Sequence, residues 1–180
     1  MVRKLAVLTA LGLMLLPAFA AQGSSSAAIR AMNAGKEHLR RDEFGMAVKS
    51  FTKYAALEPE KSHPYDLRAC TYLRMENLDL ALKDIAESQK IDSSEQTGYA
   101  AYWLKGVALL LQGDQPNADV ALAAGARGSE IFARRYARAQ QNAEAIWGEG
   151  EPVDKTSELF RRRLAELLLD EYVDLQLFGE

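Results

Sequence analysis

Along most of this chain the apolar residues recur at the three-to-four spacing of an amphipathic helix, and no run alternates as a half-buried strand would. The helical pattern itself repeats. Residues 35–59 (GKEHLRRDEFGMAVKSFTKYAALEP) overlay residues 69–93 (ACTYLRMENLDLALKDIAESQKIDS) when slid by 34. Leu39 falls on Leu73, Arg40 on Arg74, Ala47 on Ala81 and Lys49 on Lys83. Residues 96–98 then intrude, and a third copy follows over 99–132. A period of 34 accommodates one pair of antiparallel helices and their turns. Helix pairs are therefore predicted over 28–61, 62–95 and 99–132. Residues 129–147 read as a further helix, with Phe132, Tyr136, Ala139, Ala143 and Ile146 along one side. Gly, Pro and acidic residues at 148–154 (GEGEPVD) interrupt the pattern. A long helix over 156–178 follows. Phe160, Leu164, Leu167, Leu168, Leu175 and Phe178 form its wide apolar stripe, and Arg161, Arg162, Arg163, Glu166, Asp170 and Asp174 its wet side.

Small residues occupy fixed places in the repeat. Gly35, Ala69 and Gly106 fall on the first helix of each pair, and Ala47, Ala81 and Ala118 on the second, twelve residues later. Large apolar residues surround them: Leu39, Leu73 and Leu110, then Phe44 and Leu78, then Phe51, Ile85 and Leu122. Pro59 closes the first copy after a helix end. In these positions the segment 28–132 resembles the tetratricopeptide repeat. The resemblance implies an all-α fold, a right-handed α-solenoid of about three helix pairs, with 133–180 as capping helix and long C-terminal helix. It also implies that the six small residues form the packing seam, where a larger side chain would cost about 1–3 kcal/mol by overpacking.

The copies decay toward the C-terminus. Ala31 stands where the family prefers a bulky aromatic, and Ser93 where proline is usual. In the third copy Gln115 replaces an aromatic, Asp119 an aliphatic and Gly125 the usual Ala. Solenoid ends expose an apolar face that needs cover. The segment 129–147 is either that cover or the first helix of a fourth, worn repeat. For 156–178 the first expectation is that it completes a fourth pair or packs along the solenoid's end. The second is that it swaps onto another copy or folds back into the groove.

The chain ends add a compartment. Arg3 and Lys4, an apolar run over 5–16, Pro17 and then Ala18, Phe19 and Ala20 make a secretory signal peptide over 1–20, cleaved after Ala20. Twelve helical residues cover about 18 Å, short of a hydrocarbon core of about 30 Å, which speaks against an uncleaved anchor. Residues 21–27 read as a flexible leader. Export to the periplasm, or secretion, follows, with no membrane span after cleavage. Loss of Arg3 and Lys4 takes the 22 Lys+Arg to 20 against 25 Asp+Glu, a balance that argues against nucleic acid. The single cysteine, Cys70, makes no internal disulfide, so stability rests on the core of one domain.

Candidate chemistry is sparse. His38 and His63 fall in different repeats, and no HExxH, CxxC or phosphate-cradling glycine loop is present. No metal, cofactor or catalytic residue is therefore assigned, and the chain reads as a non-enzyme. The acidic neighbours Asp42–Glu43 and Asp170–Glu171 splay apart on a helix and read as solvated surface. Cys70, one turn from Arg74, is either a buried inert residue or a thiolate stabilised by the arginine.

The family resemblance implies that first helices line a concave groove. Projection of its groove columns selects Ile29, Met32, Lys36 and Arg40, then His63, Asp66, Cys70 and Arg74, then Ala100, Trp103, Val107 and Leu111. Met32, Lys36, Arg40, His63, Asp66, Arg74, Trp103 and Val107 form the candidate peptide-binding set. A floor basic at Lys36, Arg40 and Arg74 and apolar at Trp103 suits an extended peptide with a carboxylate and a bulky apolar residue. The other reading makes these charges an ordinary solvated face and Trp103 core. The clamp of chaperone-tail-binding repeats is absent, because Met32, Leu67, Ala100 and Leu104 fill its places and only Lys36 is polar. The functional expectation is a non-catalytic scaffold binding a protein or peptide partner, as an accessory factor of envelope assembly or secretion. The alternative is a self-associating structural protein whose C-terminal helix forms a homodimer.

Overall fold

Side-chain caps and one recurring turn set where the helices begin and end. The computed structural model describes residues 25–145 and 153–178. Among these residues the chain forms eight α-helices and no strand: α1 (Ser26–Arg40), α2 (Phe44–Leu57), α3 (His63–Arg74), α4 (Leu78–Ile91), α5 (Tyr99–Gln112), α6 (Gln115–Gly128), α7 (Glu130–Glu144) and α8 (Glu158–Phe178). The all-helical class expected from periodicity is thus observed. The Ser25 hydroxyl accepts the Ala28 amide at 3.1 Å and opens α1. This corrects the end of the expected leader: Ser25 caps the helix, and Ser26 and Ala27 belong to it. The expected signal peptide, Ile146 and residues 148–152 of the expected break lie outside the described residues.

The same turn closes α1, α3 and α5. Asp42 (φ 56°), Glu76 (φ 54°) and Gly113 (φ 85°) each take the left-handed conformation. They are spaced by 34 and then 37 residues, the repeat period and the period plus its three-residue insertion. The next residue sits at the N-cap of the following helix. Asn77 accepts the Leu80 amide and Asp114 the Asn117 amide, both at 3.3 Å. Glu43 makes no such cap, and its carboxylate lies 2.6 Å from His38 Nδ1 instead. The Asp42–Glu43 pair therefore sits in a turn rather than on a helix, which corrects the sequence reading of that pair.

The six small seam residues are all buried. Close approach explains the glycines. A Cβ on Gly35 would stand 2.6 Å from Phe51 Cδ1, and one on Gly106 would stand 2.7 Å from Leu122 Cδ2. The large residue sixteen positions on fills the space that the small one leaves. Gly125 has its own reason to lack a side chain: a Cβ there would stand 3.1 Å from Tyr99 O and 3.2 Å from Trp103 N, against the backbone of α5. α7 then docks through Phe132. Its ring meets Trp103 edge-on at 4.7 Å between centroids, Tyr99 at 5.0 Å and Tyr172 at 6.2 Å.

α8 meets each of the two expectations in part. Its substantial contacts go to α7 and then, in falling order, to α5, α3 and α1. It starts beside the C-terminal end of α5, where Arg161 and Arg162 border Leu111 and Gly113. It finishes beside the start of α3, where Gln176 meets His63. The helix thus pairs with α7, as a fourth pair would, and also lies along the face made by α1, α3 and α5, as a fold back into the groove would. Its apolar stripe is spent there: Phe160, Leu164, Leu168 and Tyr172 are buried, whereas Phe178 is 71% exposed.

Candidate functional site

The face of α1, α3 and α5 carries most of the residues selected from the sequence, and α8 covers it. Trp103 is fully buried and donates its indole N–H to Leu168 O at 3.2 Å. Val107 is buried on the same helix, with Ala100 and Leu111 half-buried. From α3, Arg74 pairs with Asp170 at 2.5 Å and His63 Nε2 lies 3.0 Å from Gln176 Oε1. Asp66 and Cys70 are buried between these two contacts along α3. From α1, Met32 packs against the core and Lys36 is half-buried. Arg40 stands apart: its guanidinium turns to Glu37 on its own helix, at 2.7 and 2.9 Å. Ile29 is exposed. The expectation of an open floor for an extended peptide is therefore corrected. The floor is roofed by a helix of the same chain, and the opening beside it, lined by Leu73, Arg74, Leu111, Glu166 and Leu169, measures only about 120 Å³.

The sequence reading missed the roof residues. Asp170 and Glu171 do splay, but neither is idle. Asp170 reaches Arg74 on α3. Glu171 is 9% exposed and held by α7: Arg135 Nη1 reaches its Oε2 at 2.6 Å, Arg138 Nε reaches its Oε1 at 2.6 Å, and Arg138 Nη2 also bonds Oε2. Burial works against the Glu171 charge, yet the hydrogen bonds from Arg138 and Arg135 outweigh it and keep its pKa below the ordinary value. Adjacent acids followed by a tyrosine were visible in the sequence. Their cationic partners lay 33 to 96 residues away, out of reach of any local pattern.

Burial sets the electrostatics of this face. Burial raises the Asp66 carboxyl to about 7, and the nearby charges of Asp92 and Asp84 push the same way. The Ser88 hydroxyl beside it offsets part of this without full hydrogen-bonding geometry, so Asp66 Oδ1 and Ser88 Oγ both lack a protein partner. Burial also raises the Tyr172 phenol, on which the charges of Asp66, Cys70 and Tyr99 bear. His63 is lowered by burial, partly offset by its bond to Gln176. Cys70 is fully buried and pushed up to about 12, despite the opposing charge of Arg74. Thiolate chemistry is therefore closed to Cys70 in this conformation.

Among the described residues no group of three or more His, Cys, Asp or Glu is placed to hold a metal ion. No helix among them is long and apolar enough to cross a membrane. The arrangement can hold an amphipathic helix by indole and guanidinium contacts. Comparison of the chain with protein-family models, with curated proteins and with solved structures finds no match in any of the three.

Proposed function

We propose that this chain is an exported, non-catalytic scaffold of the tetratricopeptide type, acting in the periplasm as an accessory factor of envelope assembly or secretion. Its helix pairs stack as a short right-handed solenoid, and a protein segment binds on the concave side formed by α1, α3 and α5. One observation carries this reading. That face already holds a helix, α8, through Trp103 to Leu168 O, Arg74 to Asp170 and His63 to Gln176. A face that grips a helix by side chains from two successive odd helices supports a binding role for that face. The matched turns at Asp42, Glu76 and Gly113 support the repeat assignment.

The self-association reading gains no comparable support. Its motive was an apolar stripe left uncovered, and Phe160, Leu164 and Leu168 are buried against the chain's own helices.

Affinity purification from envelope extract tests the proposal. The wild-type chain is compared with Asp170→Arg, which sets a cation against Arg74 and weakens the roof. A specific protein recovered in greater yield by Asp170→Arg is expected. Identical background recovery by both chains would overturn the concave-face assignment.

A further inference from the structure

The contact between α8 and its bed is polar as well as apolar. It is charged on both sides. Arg74 of α3 and Arg135 and Arg138 of α7 face Asp170 and Glu171, and the Asp174 charge bears on Arg138. It is also incompletely satisfied. Five buried side-chain atoms lack a protein partner among the described residues; three of them lie on α3 and α8, Asp66 Oδ1, Arg74 Nε and Tyr172 OH, and Ser88 Oγ lies on α4, away from α8. Native interiors pair such atoms, and each exception favours the state that re-exposes it. Asp66, Ser88 and Tyr172 are 5%, 0% and 1% exposed.

Resting on the scaffold reading above, we propose that α8 is an exchangeable internal ligand of the α1–α3–α5 face. The external ligand is an acidic amphipathic helix of a partner protein that repeats the α8 pattern. That pattern has leucines at the places of Leu164 and Leu168, an acid two residues after the second and a tyrosine four residues after it. Two of these places meet a side chain of the bed: Asp170 pairs with Arg74, and the Tyr172 ring stands 6.2 Å from that of Phe132. The Leu168 carbonyl, which any residue would offer, accepts from Trp103 and fixes the depth of the helix. The next acid is clamped by Arg135 and Arg138, so α7 also selects an acidic helix. A partner that donates a hydrogen bond to Asp66 would relieve an unpaired acceptor that α8 leaves, and so compete with a tethered helix.

The test uses the full chain and a fluorescent peptide of residues 156–178 as the probe. Cys70, the single cysteine, is buried on α3 between two residues that contact α8, His63 and Arg74, so its reaction rate with a thiol reagent reports opening without any ligand. Asp170→Arg should speed Cys70 labelling and tighten binding of the wild-type peptide, each by at least about tenfold over the wild-type chain. Arg74→Asp should prefer the peptide carrying Asp170→Arg. The double exchange Arg74→Asp/Asp170→Arg restores the pair and should restore slow labelling and weak peptide binding, which separates opening from misfolding. Unchanged Cys70 labelling in every variant overturns the proposal, as does fast labelling with no saturable peptide binding. A wild-type chain that is dimeric by light scattering, and that the peptide converts to monomer, also overturns it by making the occupant a second copy. Failure of this test alongside recovery of a specific protein from envelope extract leaves the scaffold reading standing on another surface.

Discussion

At Asp66 a carboxyl group that water would ionise near pH 4 is 5% exposed, beside Ser88 and within reach of the charges of Asp84 and Asp92. Cys70 on its own helix and Tyr172 on α8 complete its titratable surroundings. Its pKa in the fold is about 7, above the value in an unfolded chain. The folded state therefore holds the proton more tightly. The stability this group contributes is fully present below about pH 4 and is lost as the pH rises to 7. Between pH 5 and 7 the loss reaches at most about 3 kcal/mol. His63, whose pKa burial lowers, acts in the opposite sense as the pH falls below its ordinary value. Asp66→Asn isolates the carboxyl. Urea unfolding at both pH values should show the wild-type chain losing stability relative to Asp66→Asn as the pH rises. A constant difference between the two chains would show that the carboxyl ionises freely in the fold.

At the scale of the element, three equivalent turns carry three different residues in one backbone conformation. Left-handed backbone costs an L residue about 1–2 kcal/mol, less for aspartate, whose short side chain bonds locally. Gly113 avoids this cost, and Glu76 bears more of it than Asp42. Glycine returns part of the gain through its freedom in the unfolded chain. Glu76→Gly should therefore stabilise by about 0.5 kcal/mol and raise the melting temperature by about 1–2 °C, with a smaller gain for Asp42→Gly. Thermal unfolding followed by circular dichroism decides the matter, and a lower midpoint for Glu76→Gly refutes the strain argument. These turns also show what the sequence made legible. Gly113 followed by Asp114 reads as a turn and cap on sight, whereas Asp42 and Glu76 carry no such mark and only the period exposes them. Helix positions were legible because burial repeats every turn within one segment. The bed of α8 was legible only as one alternative, a fold back into the groove, because an apolar stripe states that a helix is covered and never by what. Arg74 and Asp170 are 96 residues apart, and His63 and Gln176 are 113 apart. The candidate site was half legible for the same reason. The bed residues followed from the repeat columns, and the roof came from a segment outside the repeat.

At the scale of the whole molecule, Phe132 decides whether α8 belongs to the same cooperative unit as the repeats. Its ring is 1% exposed and touches Trp103 and Tyr99 of α5 and Tyr172 of α8, while its backbone belongs to α7. Three helices therefore share one aromatic cluster, although only α5 lies within the repeat. Truncation to Ala removes the shared ring and leaves a cavity that rigid helix backbones fill poorly. A loss of about 3–5 kcal/mol is expected for Phe132→Ala. Phe178→Ala, at a ring that is 71% exposed, should lie within about 0.5 kcal/mol of the wild type. Urea titration monitored by tryptophan fluorescence and by circular dichroism separates the possible architectures. If Phe132 couples α8 to the repeats, the two signals coincide in the wild type. In Phe132→Ala they divide, because α8 loses the ring that joins Tyr172 to α5 and α7, and its remaining burial and its polar contacts to Arg74, His63, Arg135 and Arg138 no longer bind it to the unfolding of the other helices. Coincident transitions in the mutant, shifted together, would place α8 in a single indivisible core.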